Sequence, residues 1–439
     1  MTQTQALNIL KLGQNIFLTG PAGSGKTYVL NQYIDYLKRN KVEVGVTAST
    51  GIAATHLGGI TIHSWSGLGI KDHLTDEDLV NLLMKTYLRT RFNKTSVLII
   101  DEVSMLHAHQ LDLVNKVCQV MRENTRPFGG IQLILCGDLF QLPPVTKGNT
   151  PSYFVTAATC WNDAGIKVCY LEEQFRQTDA NLGSILNAIR YNEVDEDVFL
   201  ALQERFNKKI HGLENPTKLY SHNIDVDSVN TLELAKIKDE GHVFDMRSTG
   251  HPQIIETLTK GCLAPQRLTL KIGAMVMFVK NNFDKGYVNG TIGTVIDWDN
   301  DGFPIIQTLD RRVIYTEIAS WKVEEDGATK AELIQLPIRL AWAITIHKSQ
   351  GMSLDAAEID LSKSFVPGMG YVALSRVRTL EGLTLKGMNN TALRINEQVL
   401  DLDESLRKYS THSVDWLLEL DVAQLQDKQV AHLINNSTA

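Results

Sequence analysis

Apolar and polar positions follow two patterns along the first third of the chain. Short apolar runs at 15–19, 43–47, 96–100 and 131–136 have the length of buried strands, and three of them are followed by a glycine or an acidic residue. The stretch 26–39 instead places apolar side chains at helical spacing. Strands separated by helices indicate a parallel sheet that helices cover on both faces.

A second alternating region begins after Lys167, so we predict an α/β protein with a first domain at 1–171 and a second at 172–439. Two segments break the pattern. The segment at about 64–94 has an acidic cluster followed by a basic one, and we interpret it as a small insertion in the first domain. The segment at about 286–337 has short β-rich runs separated by glycines, which indicates a small barrel inserted in the second domain.

Composition narrows the class of protein. The 439 residues allow about three domains at roughly 150 residues each. The net charge of −7 means that any nucleic-acid site must be a local groove. The five cysteines include no Cys-x-x-Cys pair, so we expect reduced, buried thiols and no zinc site. No apolar run approaches the ~20 residues of a membrane span and no targeting segment is visible, so we expect a cytoplasmic protein in a bacterial or viral context.

A glycine-rich loop follows the first predicted strand and opens the first predicted helix. It has the pattern G-x-x-x-x-G-K-[ST], formed by Gly20, Pro21, Ala22, Gly23, Ser24, Gly25, Lys26 and Thr27. The strand-to-helix setting supports the assignment, because the backbone N–H groups of the loop and the helix N-terminus then face one oxyanion. We expect Lys26 to reach the β- and γ-phosphates of ATP and the Thr27 hydroxyl to bind Mg²⁺.

An acidic pair, Asp101-Glu102, closes the third predicted strand. We predict that Asp101 is a direct or outer-shell partner of Mg²⁺ and that Glu102 orients or deprotonates the attacking water. Alone, such a pair is commonly a solvated strand end, and the phosphate loop upstream strengthens the catalytic interpretation. Nucleoside triphosphate binding alone does not separate kinases, transporters, GTPases and motors.

Further motifs narrow the choice. They are TASTGIAA at 47–54, TIHS at 61–64, GDLFQLPPV at 137–145, EQFRQ at 173–177, AITIHKSQG at 343–351 and YVALSR at 371–376. In this order they resemble the motif series of superfamily 1 helicases, subgroup B. The segment 121–130 resembles the signature of one family in that subgroup, the PIF (petite integration frequency) helicases. The resemblance covers about 5–383 of the chain.

The resemblance implies two RecA-like P-loop domains with ATP bound between them. It implies single-stranded DNA lying across the tops of both domains, and movement in the 5′-to-3′ direction. The insertion at about 64–94 is then a small wedge domain in the first RecA-like domain. The insertion at about 286–337 is then a Src-homology-3-like β-barrel in the second.

The resemblance also implies ATP-site roles outside the loop. Gln141 resembles the residue that senses the γ-phosphate and couples it to the DNA track through Pro144 and Val145. Two arginines, Arg176 and Arg376, resemble arginine fingers from the second domain, although the usual role of an arginine is a surface ion pair. The remaining implied residues are Gln350 and Gly351, which approach the γ-phosphate, and Gln5, which reads the adenine edge, with Gln3 as an alternative.

The implied DNA path uses hydroxyls, backbone amides and imidazoles, which hold a strand without sequence preference. For His222 an ordinary hydrogen bond in a loop is an equally good interpretation. We expect Trp65 to pack in the wedge. The predicted DNA-contacting residues are Thr50, Gly51, Thr61, His63, Pro144, Val145, His222, Asn223, Thr345, His347 and Lys348.

The sequence thus predicts an ATP-dependent 5′-to-3′ DNA helicase whose partners are single-stranded DNA and forked or structured duplex DNA. We expect no membrane partner and a monomer when free. Three alternatives stay open. One is a translocase that strips proteins from DNA with little unwinding, another is a DNA-binding remodelling factor that does not hydrolyse ATP, and the third is RNA as the natural substrate. Loss of Lys26, Glu102 or an arginine finger would favour the second, and all are present.

Overall fold

The protein is described here from a computed structural model. The structure describes residues 1–69, 71–144, 153–175, 179–210, 216–222, 226–282, 284–325 and 328–436.

The first part of the chain alternates helices and strands, as its apolar pattern predicts. Its elements are α1 (Gln3–Lys11), β1 (Ile16–Thr19), α2 (Lys26–Arg39), β2 (Val44–Ala48), α3 (Gly51–His56), β3 (Ile60–Thr61), α4 (Ile62–Ser66), α5 (Asp76–Leu83), α6 (Thr86–Lys94), β4 (Val97–Asp101), α7 (Ala108–Met121), β5 (Gln132–Cys136), α8 (Thr159–Asp163) and β6 (Lys167–Tyr170), with short 3₁₀ helices at Val103–Met105, Pro127–Gly130 and Val155–Ala157. The four strands predicted from apolar runs are therefore confirmed as β1, β2, β4 and β5.

The strands of this part form one parallel sheet in the order β3-β2-β4-β5-β1-β6. Strands β1, β4 and β5 are buried along their whole length, because helices cover both faces of the sheet. The chain leaves β1 toward β2, three places away, and later reaches β6 on the other side of β1. This reversal of direction makes the carboxyl end of β1 the expected place for a ligand.

Helices α4, α5 and α6 form the segment between β3 and β4, where the sequence predicts an insertion. Trp65 is buried there, with its ring centroid 4.6 Å from that of Phe92. The packing role expected for Trp65 is therefore confirmed. Helix α5 begins with a capping box at Thr75, and its first turn is acidic, which suits the positive end of the helix dipole.

The second part contains more strands than helices. Its elements are α9 (Ala180–Arg190), α10 (Glu196–Gln203), β7 (Thr217–Tyr220), α11 (Val226–Lys236), β8 (His242–Asp245), β9 (Arg247–Gly250), α12 (Pro252–Gly261), β10 (Arg267–Leu270), β11 (Met275–Phe278), β12 (Ile292–Trp298), β13 (Pro304–Thr308), β14 (Val313–Tyr315), β15 (Ala319–Glu325), β16 (Ala328–Gln335), β17 (Ile338–Leu340), β18 (Ala343–Thr345), β19 (Ala357–Leu361), α13 (Met369–Leu374), β20 (Leu383–Met388), α14 (Glu397–Leu418) and α15 (Val422–Asn436), with a 3₁₀ helix at His347–Ser349.

A second parallel sheet has the order β18-β7-β19-β20. Between β7 and β18 the chain forms antiparallel sheets in the orders β14-β13-β12-β11-β17, β15-β16-β9 and β10-β8. These antiparallel strands run from His242 to Leu340, so they begin well before the range 286–337 expected from glycine spacing. The additional strands include β8, which pairs with β10, and β9, which lies beside α12.

The last two helices return to the first parallel sheet. Helix α14 packs along β6, where Ser410 Oγ accepts a hydrogen bond from the backbone N–H of Tyr170 at 3.0 Å. The ammonium of Lys167 lies 4.0 Å from the ring centroid of Trp416. Helix α15 ends beside the start of β4. The carbonyl of Asn436 accepts a hydrogen bond there from Ser96 Oγ at 3.2 Å. The two parallel sheets are thus joined by helices as well as by the chain between them.

Candidate nucleotide and DNA site

The phosphate loop lies at the carboxyl end of β1, and α2 begins at Lys26 directly after it. Gly20 has a φ of 141°, and a Cβ added to it would lie 2.3 Å from the carbonyl oxygen of Leu171. Gly25 has a φ of 82°. Glycine is therefore required at Gly20 both by backbone conformation and by close approach. The loop and the first N–H groups of α2 form an anion-binding concavity.

The ammonium of Lys26 lies within the loop. Its Nζ donates hydrogen bonds to the carbonyls of Gly20 at 2.9 Å and Pro21 at 3.0 Å. Thr27, the next residue, is exposed and faces the cavity described below. A cation held against a cradle of N–H groups fits the phosphates of a nucleotide, as the sequence predicts.

The predicted catalytic acids lie at the end of β4. Asp101 is buried, and its Oδ1 accepts from the backbone N–H of Glu102 at 2.8 Å. Burial, together with the charge of Asp101, raises the pKa of Glu102 to about 7, while the positive charges of Lys26 and Arg376 oppose this rise. Glu102 also has a left-handed backbone with φ of 51°. A strained acid with a raised pKa beside a phosphate loop is typical of a catalytic base.

Gln141 follows β5 on the same side of the sheet. It is buried, its Nε2 lies 3.5 Å from Asp138 Oδ2, and its Oε1 has no hydrogen-bond partner among the described residues. The backbone of Gln141 packs against Gly368, where an added Cβ would lie 2.8 Å from the Gln141 carbonyl oxygen. Pro144 belongs to the described residues, whereas Val145 lies outside them. Gln141 is therefore in contact with the N-terminus of α13 in the second domain.

Arg376 follows α13 and is fully buried. Its Nε donates to the carbonyl of Val372 at 2.8 Å, and its Nη1 lies 3.4 Å from the carbonyls of Ser349 and Met352. Its positive charge lowers the pKa of Glu102, whereas these hydrogen bonds join its guanidinium to carbonyls of the second part of the chain. The finger role that the resemblance implies stays a prediction.

The other predicted finger, Arg176, lies outside the described residues. The residue before it, Phe175, donates its backbone N–H to the carbonyl of Gly23 at 2.9 Å. Phe175, the last described residue before that gap, therefore lies beside the phosphate loop.

A cavity of about 380 Å³ joins the two domains. The first domain contributes Thr27, Asp101 and Glu102, and the second contributes Gln350 and Gly351. The sequence predicted all five for the ATP site. The inserted antiparallel sheets contribute further side chains to the same cavity, which the sequence did not suggest, and these include Lys280, Asn281, Asn289 and Trp321.

The upstream glutamines are placed differently from each other. Gln3 Nε2 donates to the carbonyl of Ser24 in the phosphate loop at 3.2 Å. Gln5 instead completes the capping box of α1, where its Oε1 accepts from the backbone N–H of Thr2 at 2.9 Å. The contact with the loop favours Gln3, the alternative, over Gln5 as the residue beside the nucleotide.

A buried polar network that the sequence did not suggest links the loop to the second domain. Arg190 Nη1 donates to Asp138 Oδ1 at 2.8 Å and to the Tyr371 hydroxyl at 3.1 Å. That hydroxyl accepts from the backbone N–H of Ala22 at 3.1 Å and donates to Asp138 Oδ2 at 3.2 Å. Burial and the Asp138 carboxylate raise the pKa of Tyr371 to about 12, so the hydroxyl keeps the proton it donates. One tyrosine of the second domain therefore contacts the phosphate loop.

The same network continues toward α14. Arg190 Nη2 donates to the Tyr170 hydroxyl at 2.9 Å, and this hydroxyl donates to Asp403 Oδ1 at 2.8 Å. Arg407 completes the network, because its Nε donates to Asp403 Oδ2 at 2.8 Å. We call Asp138, Arg190, Tyr371, Tyr170, Asp403 and Arg407 the inter-domain network. It pairs two buried carboxylates with two guanidinium groups, as the burial of charge requires.

The predicted DNA residues lie at the carboxyl ends of strands in both parallel sheets. The three predicted threonines, Thr50, Thr61 and Thr345, cap short helical turns. Each side-chain hydroxyl accepts a hydrogen bond, at 3.2–3.3 Å, from the backbone N–H of the residue three positions later. His63 is mostly buried, and burial lowers its pKa. Among the other predicted members, His222 is exposed and His347 and Lys348 are half-buried, whereas Asn223 lies outside the described residues.

Gly51 is covered by the inserted region. A Cβ added to Gly261, at the end of α12, would lie 2.5 Å from the Gly51 carbonyl oxygen, and Thr55 Oγ1 donates to the Gly261 carbonyl at 2.6 Å. Helix α12 therefore packs directly on α3, on the surface where the sequence predicts DNA.

Comparison with known proteins tests the family implied by these motifs. Residues 3–193 match the sequence model of the PIF1-like helicases, and residues 253–298 match that of the 2B domain of DNA helicase Pif1. The protein named ATP-dependent DNA helicase Pif1 from Psychrobacter sp. is 44% identical over 99% of this chain, which spans 75% of that protein. The chain belongs to the Pif1 helicase family. The family predicted from the motif order is thereby confirmed.

Other Pif1 relatives are longer. A Pif1 helicase from Xenopus laevis is 37% identical over 92% of this chain, and the chain spans 64% of its length. The chain thus spans about two thirds of such vertebrate relatives.

Solved Pif1 structures confirm the helicase fold, with its parallel sheets. A Bacteroides Pif1 in complex with ADP-AlF₄ is 31% identical, with a TM-score of 0.80 over 92% of this chain and 96% of that one. A Bacteroides Pif1 bound to single-stranded DNA is 32% identical over the same shares, but its TM-score is 0.62. By TM-score, the structure is therefore more similar to the ADP-AlF₄ complex than to the complex with single-stranded DNA. Among the helices that the structure describes, none has both the length and the apolar run needed to cross a bilayer.

Proposed function

We propose that this chain is an ATP-dependent DNA helicase that moves 5′ to 3′ along single-stranded DNA and unwinds forked or structured duplex DNA. The observation that carries the proposal is the cavity at which both domains meet. It gathers Thr27, Asp101 and Glu102 from one domain with Gln350 and Gly351 from the other. A site divided between two domains can change with nucleotide state, which is what a motor requires.

ATP hydrolysis is proposed to use the phosphate loop, the acidic pair after β4 and the two arginines. The phosphate loop and Lys26 hold the phosphates, and Glu102 accepts a proton from the attacking water or orients it. Arg376, whose positive charge lowers the pKa of Glu102, is proposed to stabilise charge on the transferring phosphoryl group, with Arg176 assisting it. Thr27 and Asp101 would hold Mg²⁺, which neutralises charge on the phosphate oxygens.

Coupling to DNA follows from shared segments. Gln141 contacts the N-terminus of α13, and Gln350 lies three residues after His347. Movement of either glutamine between nucleotide states therefore moves residues proposed to hold the strand. The proposed grips are Thr50, Gly51, Thr61, His63, Pro144 and Val145 on the first domain and His222, Asn223, Thr345, His347 and Lys348 on the second.

Each of the two inserted regions is proposed to have its own role. Helices α5 and α6, within about 64–94, serve as the wedge that separates strands. The antiparallel sheet formed by β11–β14 and β17 serves as the Src-homology-3-like barrel of the second domain. The first domain is proposed to span 1–171 and the second 172–439. Because α12 covers Gly51, the inserted region must move before DNA reaches the first domain. The free protein is proposed to be a monomer.

The proposal is tested by ATPase rates with and without single-stranded DNA. We expect strong stimulation in wild type and loss of turnover in Lys26→Ala and Glu102→Gln. Lys116→Ala, which changes an exposed lysine on α7, is the matched control and keeps the wild-type rate. Absence of DNA stimulation in wild type would overturn the motor assignment.

Unwinding of duplexes with a 5′ or a 3′ single-stranded tail then tests polarity, and preference for a 3′ tail would contradict it. Displacement of a protein roadblock, assayed in parallel, separates a helicase from a translocase that unwinds poorly. The same ATPase assay with an RNA strand tests the choice of nucleic acid.

A further inference from the structure

Three aromatic rings meet at the carboxyl edge of the second parallel sheet. His347 follows β18, His222 follows β7 and Phe365 follows β19, and these three strands are neighbours in the sheet. The ring centroids of His222 and Phe365 are 4.9 Å apart, and those of His347 and Phe365 are 6.3 Å apart with their planes 17° from parallel. The rings come from distant parts of the sequence, so the topology of the sheet creates the cluster.

Phe365 is unusual because it is exposed. Its side chain is 53% accessible, whereas Ser364 before it is buried and Val366 after it is half-buried. A phenylalanine needed for the core would be buried among apolar side chains, and here its neighbours are two imidazoles. An exposed ring beside other rings offers a flat π surface to a ligand.

The electrostatics of the cluster suit a neutral aromatic ligand. Burial and the adjacent His222 lower the pKa of His347, so its imidazole is uncharged at neutral pH. The neighbouring Lys348 is half-buried and supplies a positive charge beside the rings. Aromatic rings with a nearby cation are the combination that holds unpaired nucleobases and their phosphates.

We propose that Phe365, supported by His222 and His347, is a stacking platform for an unpaired base of single-stranded DNA. The proposal rests on the proposed function and adds to it a residue and a mode of binding. Stacking requires an exposed base face, so the platform selects single strands over duplex, and it is tolerant of sequence because every base has such a face. His347 lines the cavity together with Gln350, so one ring of the platform borders the predicted nucleotide site.

The test measures binding of fluorescein-labelled oligothymidylate by fluorescence anisotropy. We expect Phe365→Ala to raise the dissociation constant ~5- to 100-fold, the range of one lost base stack. Phe365→Trp, which keeps a ring, retains affinity, whereas Phe365→Leu, which keeps only apolar bulk, does not. Phe199→Ala, on α10, is the matched control, because Phe199 is 47% exposed and lies away from the rings.

A second arm uses abasic strands of the same length. Wild type should lose affinity for the abasic strand, and Phe365→Ala should lose little more, because the stack is already absent. Equal losses in both proteins, or Phe365→Ala binding within about twofold of wild type, would overturn the platform. The slope of affinity against salt should be unchanged in Phe365→Ala and shallower in Lys348→Ala.

The outcomes also separate this proposal from the function on which it rests. Wild type that fails to bind single-stranded DNA, or whose ATPase DNA does not stimulate, overturns both. Wild type that is stimulated while Phe365→Ala behaves as wild type overturns the platform alone. Phe199→Ala, which lies outside the proposed platform, should keep the wild-type basal ATPase, and the abasic arm then compares wild type with Phe365→Ala.

Discussion

Arg190 connects two buried aspartates, so its replacement perturbs the inter-domain network most directly. It is 1% exposed, and Asp138 is fully buried. Arg190→Met removes the only guanidinium that Asp138 contacts among the described residues and leaves its carboxylate buried without a counter-charge. Breaking a buried ion pair from one side destabilises a protein by about 3–5 kcal/mol. For a cooperative unit of 150–250 residues this lowers the melting temperature by roughly 6–20 °C.

Thermal unfolding followed by circular dichroism measures this effect. Arg89→Met, on the exposed face of α6, is the matched control and should stay within about 0.5 kcal/mol of wild type. Arg190→Lys keeps the charge but offers a single ammonium in place of two guanidinium arms, so we expect an intermediate loss.

The double variant Arg190→Met/Asp138→Asn removes the orphaned charge and should melt above Arg190→Met alone. Two results would contradict a stabilising role of the network at the domain interface. One is a melting temperature of Arg190→Met equal to that of the Arg89→Met control. The other is a loss of melting temperature in the double variant equal to the sum of the losses in Arg190→Met and Asp138→Asn.

Four further variants test separate parts of the structure. Gly20→Ala should abolish ATP binding in an equilibrium assay, because its Cβ meets a backbone carbonyl at 2.3 Å, whereas Gly165→Ala, also at positive φ but without close neighbours among the described residues, should not. Tyr371→Phe leaves a phosphate-loop N–H unpaired and should lower DNA-stimulated ATPase more than basal ATPase. His56 has a pKa lowered to about 4 by burial, so melting temperature should fall as pH drops from about 6.5 toward 4, and fall less in His56→Gln. Gly261→Ala should push α12 from α3 and raise affinity for single-stranded DNA, and a loss of affinity would show that the contact does not compete with DNA.

Local sequence patterns were sufficient to assign site residues where the chemistry depends on residues that are contiguous in the chain. The phosphate loop needs glycines, a lysine and a threonine at fixed spacing between a strand and a helix, so Lys26 and Thr27 could be assigned from sequence. The same holds for Asp101 and Glu102, which close a run of apolar residues. Strands β1, β4 and β5 were found because each is buried on both faces and therefore appears as an apolar run, whereas β2 is half-buried at Val44 and Val46.

The inter-domain network could not be predicted in this way. Arg190 ends an amphipathic helix, and an arginine in the last turn of a helix usually marks a solvated end that complements the helix dipole. Its partners Asp138 and Asp403 lie 52 and 213 positions away. Nothing local distinguishes such an arginine from a surface one, because its burial depends on how two domains pack.

The antiparallel region was underestimated for a related reason. Gly290 and Gly302 lie in the connections on either side of β12, and Gly293 lies within β12, whereas β8 and β9 are short strands that are mostly exposed. Such strands lack the apolar alternation that marks a half-buried strand. Phe365 was missed because an isolated phenylalanine after a strand ordinarily belongs to the core, and its exposure becomes apparent only in the folded sheet.

The two proposed DNA grips differ in accessibility, and this difference implies an order of binding. Helix α12 packs on Gly51 of the first domain, whereas the ring of Phe365 on the second domain is 53% exposed. A strand can therefore contact the ring platform before α12 moves, and the first-domain grip forms only afterwards. On this account Phe365 acts on initial capture and Gly261 on the slower rearrangement. Rapid-mixing measurements should then show a fast phase sensitive to Phe365→Ala and a slow, concentration-independent phase accelerated by Gly261→Ala.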